Sequence, residues 1–200
     1  MRRILLIIVV VAALAATGWA ARAATQTTPI PAARPPTGSA TTGGDTLVAQ
    51  LAAGRLATNL HAARADGYQI ITRMIPDMGW HFLNPEIQGF DVTKPPILVY
   101  ERHRRSWQLA AFEWVFPTKP ASPPLAGATY GSFPAACHYR DGTFVAARVQ
   151  ELCPTRSPAT GARFSFWHPD LVTLHVWLWY PNPAGLYHGT NPLIRPFNHG

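Results

Sequence analysis

The sequence predicts an α+β domain, with an antiparallel β-sheet packed against one long N-terminal helix and long Pro-rich loops between the strands. Three observations lead there. Stretches rich in β-branched and aromatic residues far outnumber helical ones, and no alternating strand–helix pattern appears, which argues against a parallel sheet. One amphipathic stretch, residues 45–66, precedes them all. Twenty prolines, three of them in the pairs Asn84-Pro85, Asn182-Pro183 and Asn191-Pro192, call for irregular connections.

The first segment is not part of this fold. Met1-Arg2-Arg3 is a positive start, residues 4–16 are an unbroken apolar run, and Ala21-Arg22-Ala23 fits a small-x-small cleavage site. This predicts a signal peptide over residues 1–23; the alternative is an uncleaved leader acting as an anchor, the one route to a membrane. Either way the rest of the chain is expected outside the cytoplasm, secreted or in the cell envelope. Removing residues 1–23 removes Arg2, Arg3 and Arg22 and no acid, lowering the net charge from +7 to +4. That charge is modest for nucleic-acid binding, and no nucleic-acid partner is expected. Residues 24–44 are Pro, Thr, Gly and Ala without apolar period, a flexible linker.

The domain is expected over residues 45–197, followed by a short tail, 198–200. Asp45 offers an N-cap; Leu47, Val48, Leu51, Leu56, Leu60 and Ala63 recur at helical spacing, and Gly67 is a natural stop, although Gly54 interrupts the run. Strands are expected over residues 68–74, 97–101, 107–116, 143–149, 163–167 and 172–180. Residues 102–106 form a basic hairpin turn, and Asp141-Gly142 a tight one. In the last strand Val172, Leu174, Val176, Leu178 and Tyr180 take one face; Thr173, His175, Trp177 and Trp179 take the other. With 48% hydrophobic, 11% aromatic and 14% charged residues, the chain is neither disordered, coiled coil, collagen nor polytopic membrane protein.

Cys137 and Cys153 are the only cysteines. An even count in an exported chain favours a disulfide, which in the chain-entropy view contributes about 3 kcal/mol. The weaker alternative is a metal site from Cys137, His138 and Cys153, which lacks a fourth ligand nearby.

Other residues carry chemistry by being out of place. His175 and Glu113 each sit inside an apolar strand, where an unpaired imidazole or carboxylate is costly. With His81 they would form a divalent-metal site with an open position, for zinc or copper; the alternative is a hydrogen-bonded polar network that holds the fold. Glu101 is a candidate fourth member. Met74, Met78 and His81 suit copper(I), with Met78 the candidate soft ligand; otherwise the methionines are core filler. His138 and His168 are less constrained, the latter placed in a turn, and His188 lies in a loop able to fold over the sheet. Arg102, Arg104 and Arg105 could touch phosphate but suit a solvated tip. Trp177 and Trp179 could stack on a sugar or lipid but suit a core. No nucleophile elbow, zinc-protease, Walker or dinucleotide motif is present.

The blocks Met78-Gly79-Trp80-His81-Phe82-Leu83-Asn84-Pro85, Pro96-Ile97-Leu98-Val99-Tyr100-Glu101 and Ala111-Phe112-Glu113-Trp114-Val115-Phe116-Pro117, with Leu174-His175-Val176-Trp177-Leu178-Trp179-Tyr180-Pro181-Asn182-Pro183-Ala184-Gly185-Leu186 and Asn191-Pro192, form an ordered set. Across residues 68–193 this set resembles a group of uncharacterised exported bacterial proteins. The resemblance implies export and no particular activity. His81, Glu101, Glu113 and His175 fall inside its blocks; His61, His103 and His199 do not. The Cys-flanked segment 137–153 departs from the group's shorter version.

Together these features predict an exported protein that binds a transition metal or small polar ligand through a His/Glu pocket. Two alternatives stand beside it. One is a non-catalytic secreted or envelope interaction module, its protein partner unspecified. The other is a hydrolase with Glu113 as general base and His81 or His175 as acid.

Overall fold

The computed structural model describes residues 54–56 and 59–197. The expected leader, the linker, residues 45–53 of the expected helix and the tail 198–200 lie outside these residues.

The long N-terminal helix expected from the apolar spacing is not what forms, and the domain is mostly β. Among the described residues no helix reaches seven residues. Gly54–Leu56 is a 3-10 turn, and the chain starts afresh at Asn59, whose side-chain oxygen accepts the Ala62 N–H at 2.9 Å to cap the six-residue helix α1, Leu60–Ala65. Gly67, at φ 98°, ends this segment. The spacing of Leu56, Leu60 and Ala63 does report burial, since all three pack against the sheet. It does not report continuity, because a turn and a short helix can present the same residues to one surface.

Nine strands follow among the described residues: β1 Gln69–Ile75, β2 Gly79–Leu83, β3 Ile97–His103, β4 Ser106–Phe116, β5 Gly131–Phe133, β6 Ala136–Tyr139, β7 Phe144–Ala146, β8 Phe164–His168 and β9 Leu171–Trp177. They make two antiparallel sheets in a half-barrel arrangement, one in the order β1-β2-β3-β4-β9-β5 and one in the order β7-β6-β8. β3 and β4 join through the expected basic turn, where Arg104 takes φ 54° and both Arg104 and Arg105 are exposed.

The two faces of the six-stranded sheet differ. One buries Phe82, Leu98, Tyr100, Phe112, Trp114, Phe116, Leu174 and Val176 beneath α1 and the segment before it. The other carries a thinner apolar strip, Ile71, Leu83, Ile97, Val115 and Leu171, together with the buried polar residues Thr72, His81, Glu113 and His175. The second sheet is tied to this side: the His138 ring donates from Nδ1 to the Ile71 carbonyl at 2.7 Å, and the Arg73 N–H donates to the Gly142 carbonyl at 2.7 Å. β4 is buried on both faces from Leu109 to Phe116, so its single acid, Glu113, lies in the middle of the molecule.

The alternation expected through residue 180 stops at Trp177, where β9 ends. Beyond it Leu178 and Trp179 both pack on the large core, Trp179 edge-on to Phe112 at 5.4 Å. Trp177 is buried, and its indole N–H donates to the His188 carbonyl at 2.6 Å, so the His188 loop does fold over this strand.

β2 starts at a position only glycine tolerates. Gly79 has φ 108°, and a Cβ there would lie 2.5 Å from the Tyr100 carbonyl oxygen. Gly79→Ala is therefore expected to destabilise the protein by more than about 1 kcal/mol and to displace His81, two residues on; unchanged thermal unfolding would contradict this close approach.

Cys137 and Cys153 form a disulfide, with 5.6 Å between their Cα atoms. It staples β6 to the 3-10 turn Gln150–Leu152, which buries no residue of its own, and both cysteines pack in a small apolar cluster with Tyr139 and Ala147. Reduction should lower the unfolding free energy by about 3 kcal/mol; denaturant midpoints that coincide with and without reductant would show the staple to be dispensable. No helix among the described residues is long and apolar enough to cross a membrane.

Candidate metal centre

The sheet register assembles the centre. Glu113 on β4 lies directly opposite His175 on β9 and Ile97 on β3. His81 on β2 lies opposite Val99, itself opposite Ala111. His81 and Glu113 are thus diagonal neighbours across one intervening strand, and the small Ala111 leaves room for the side chains to lean together. Each Glu113 oxygen faces one ring: Oε2 is 3.6 Å from His81 Nε2, and Oε1 is 3.7 Å from His175 Nε2. The two imidazoles stand edge-on at 6.1 Å, and one ligand atom from each of the three residues lies within 4.8 Å of the others.

These separations exceed hydrogen-bond length. Neither ring nitrogen of the buried His175 has a hydrogen-bond partner, and it is burial that raises the pKa of the Glu113 carboxyl. His81 is held from behind: its Nδ1 lies 2.7 Å from the Thr72 hydroxyl oxygen, which also accepts the His81 backbone N–H at 3.3 Å. That contact fixes the ring and leaves Nε2 directed at Glu113.

Charge is expensive at this depth. Burial pushes the Glu113 carboxyl up to about 8. Burial first, then the neighbouring His175 and His138, pushes His81 down to about 3, and burial followed by His188 pushes His175 down to about 4. Near neutral pH the trio is therefore a protonated carboxyl between two neutral imidazoles, not an ion-pair network, despite its close spacing. Neutral imidazole is the form that ligates metal, and a nearby cation would draw the proton off the carboxyl.

His81, Glu113, Thr72 and Met78 also form part of the wall of a cavity of about 200 Å³ between the two sheets. Met78 is half-buried in the β1–β2 turn and faces this cavity, whereas Met74 does not line it. Glu101 does not join the trio: it accepts the Tyr180 hydroxyl and lines a separate groove with His61, Arg64 and His103. Arg102 lies over the Trp107 ring at 5.4 Å. The structure adds Thr72, which sequence reasoning missed because β2 was not recognised as a strand paired to β1. It also places His138 and His168, expected to be less constrained and the latter in a turn, on the cavity wall.

No family model, curated protein or solved structure matches the chain.

Proposed function

We propose that this is an exported protein whose His81–Glu113–His175 centre binds a divalent transition metal, zinc or copper. The observation that carries this reading is the convergence of three buried ligand side chains on a common point without hydrogen bonds among them. Two imidazoles and one carboxylate are a donor set for zinc or copper, and three protein ligands leave a position open. Ligand atoms about 2.0–2.1 Å from a tetrahedral ion lie about 3.3 Å apart, so the two carboxyl–imidazole separations of 3.6 and 3.7 Å need a small contraction, and the three ligand atoms, within 4.8 Å of one another, must draw further together to share one ion. The disulfide suits an oxidising compartment outside the cytoplasm.

The interaction-module reading requires the polar residues to satisfy one another, and the unpartnered His175 nitrogens argue against it. The hydrolase reading with Glu113 as base and a histidine as acid meets the opposite protonation pattern, since burial favours the carboxyl acid and the imidazole bases.

Elemental analysis of untagged protein recovered from an exported, oxidised preparation, followed by zinc and copper titration, tests the proposal. One equivalent should be bound by the wild type and lost in His81→Ala and His175→Ala while both stay folded. A wild type that is metal-free and takes up neither ion would overturn it. Thr72→Val, which removes the support behind His81, should weaken the metal affinity about 10–100-fold; an unchanged affinity would assign the hydroxyl to folding alone.

A further inference from the structure

Facing the same cavity, on the second sheet, stands another pair of imidazoles. His138 on β6 is fully buried, stacked on Phe166 at 4.6 Å and Phe144 at 5.6 Å. His168 ends β8, with its ring 5.0 Å from that of Phe133. The Nε2 atoms of the two histidines are 3.0 Å apart.

The other nitrogen of each ring is committed. His138 Nδ1 lies 2.7 Å from the Ile71 carbonyl oxygen and His168 Nδ1 lies 2.6 Å from the Pro169 carbonyl oxygen. A carbonyl oxygen can only accept, so both Nδ1 atoms carry the proton. A neutral imidazole has one N–H. Two bare Nε2 lone pairs therefore point at each other at hydrogen-bond distance, an arrangement that is repulsive unless a cation lies between them. The cation is either a proton or a metal ion. Burial holds both rings below their ordinary values, which keeps them in the neutral form that ligates metal.

The surroundings select the charge of the ion. The rings packed on the pair are Phe133, Phe144 and Phe166; Asp170, the acid nearest in sequence, is exposed and accepts the Ala135 N–H at 2.8 Å, and Glu113, which lines the same cavity, is kept protonated by burial near neutral pH. Among the described residues no third His, Cys, Asp or Glu ligand atom closes around this pair, so two neutral imidazoles leave most of an ion's charge uncompensated. Since solvation cost rises with the square of the charge, a monovalent ion costs about a quarter of what a divalent one does. Met78 is the one thioether among the residues lining the cavity, a soft donor on the same space.

We propose that His138 and His168 form a second, separate metal site that takes a soft monovalent d¹⁰ ion, copper(I), between their two Nε2 atoms. The site does not depend on the His81–Glu113–His175 reading and differs from it in charge preference. With N–metal bonds of about 2.0 Å, the Nε2 atoms must open to between about 3.3 Å for a bent pair and about 4 Å for a linear one.

Silver(I) is the redox-silent probe, titrated into the intact disulfide-bonded protein in chloride-free buffer. Wild type should bind one silver ion, His168→Gln should weaken that binding at least 100-fold, and His175→Gln should leave it unchanged. Zinc uptake should show the converse dependence, so failure of one site is distinguishable from failure of the other. Should His168→Gln fail to fold, X-ray absorption of the wild-type copper(I) complex decides the matter. Two or three ligands including two imidazoles support the pair, and a carboxylate oxygen in the coordination shell overturns it. Silver uptake that survives His168→Gln, or ¹⁵N NMR showing a proton shared between the two Nε2 atoms that silver does not displace, also overturns it.

Discussion

Glu113→Gln is expected to stabilise the metal-free protein at pH 7.5 while lowering its zinc affinity by about 100-fold or more. The folded-state carboxyl, pushed up to about 8 by burial, binds its proton more tightly than the unfolded chain, where the ordinary value is 4.5. The stability this protonated carboxyl contributes is fully present below 4.5 and is lost as pH rises through about 8. Glutamine keeps the shape and never ionises, so the variant should gain on the wild type by about 1.4 kcal/mol for each pH unit between those limits. Urea unfolding in the presence of a chelator at pH 5, 6.5 and 8, with calorimetric zinc titration of the same samples, reads both effects. If Glu113 merely holds the fold, the variant will instead be less stable at every pH and its metal binding will not separate from its folding.

The second large effect is acid sensitivity. His81 and His138 are pushed down to about 3 and His175 to about 4, each chiefly by burial, from an ordinary 6.5. A depressed folded value means that the contribution is present above the unfolded value and is lost as pH falls toward the folded one. Three histidines remove about 4 kcal/mol per pH unit below that point, and Glu113 acts in the opposite sense until its own unfolded value is passed, leaving about 3 kcal/mol per unit. A domain of ordinary stability, about 5–15 kcal/mol, would then unfold within a few pH units, and the metal-free protein should be most stable near pH 6.5. Denaturant midpoints measured from pH 8 to pH 4.5 test this; a flat profile would mean that these rings are not buried in the neutral form.

These effects concern residues of unequal legibility. His175 and Glu113 could be singled out because each interrupts an apolar strand, and a two-residue period shows such an interruption directly. Their pairing across β4 and β9 could not be read, since register depends on which strands are neighbours, and β9 joins β4 from far along the chain. β2 was invisible because Gly79, Trp80 and His81 follow a proline and a turn, and its five residues offer too short a period. Thr72, whose only signal was its place opposite His81, was lost with it. The helix failed differently: Leu56, Leu60 and Ala63 do face the core, but among the described residues a 3-10 turn at Gly54–Leu56 and a fresh cap at Asn59 take the place of one continuous helix. His138 and His168 look ordinary in sequence because their significance lies in two carbonyl oxygens that fix their protons, and backbone carbonyls leave no trace in residue identity.

A divalent ion between His81, Glu113 and His175 would be visible in a crystal. Diffraction at the zinc absorption edge from crystals grown with zinc tests it most directly. An anomalous peak is expected about 2.0–2.2 Å from His81 Nε2, a Glu113 oxygen and His175 Nε2. Zinc bound elsewhere in the same crystals, with no peak among these three side chains, would contradict it.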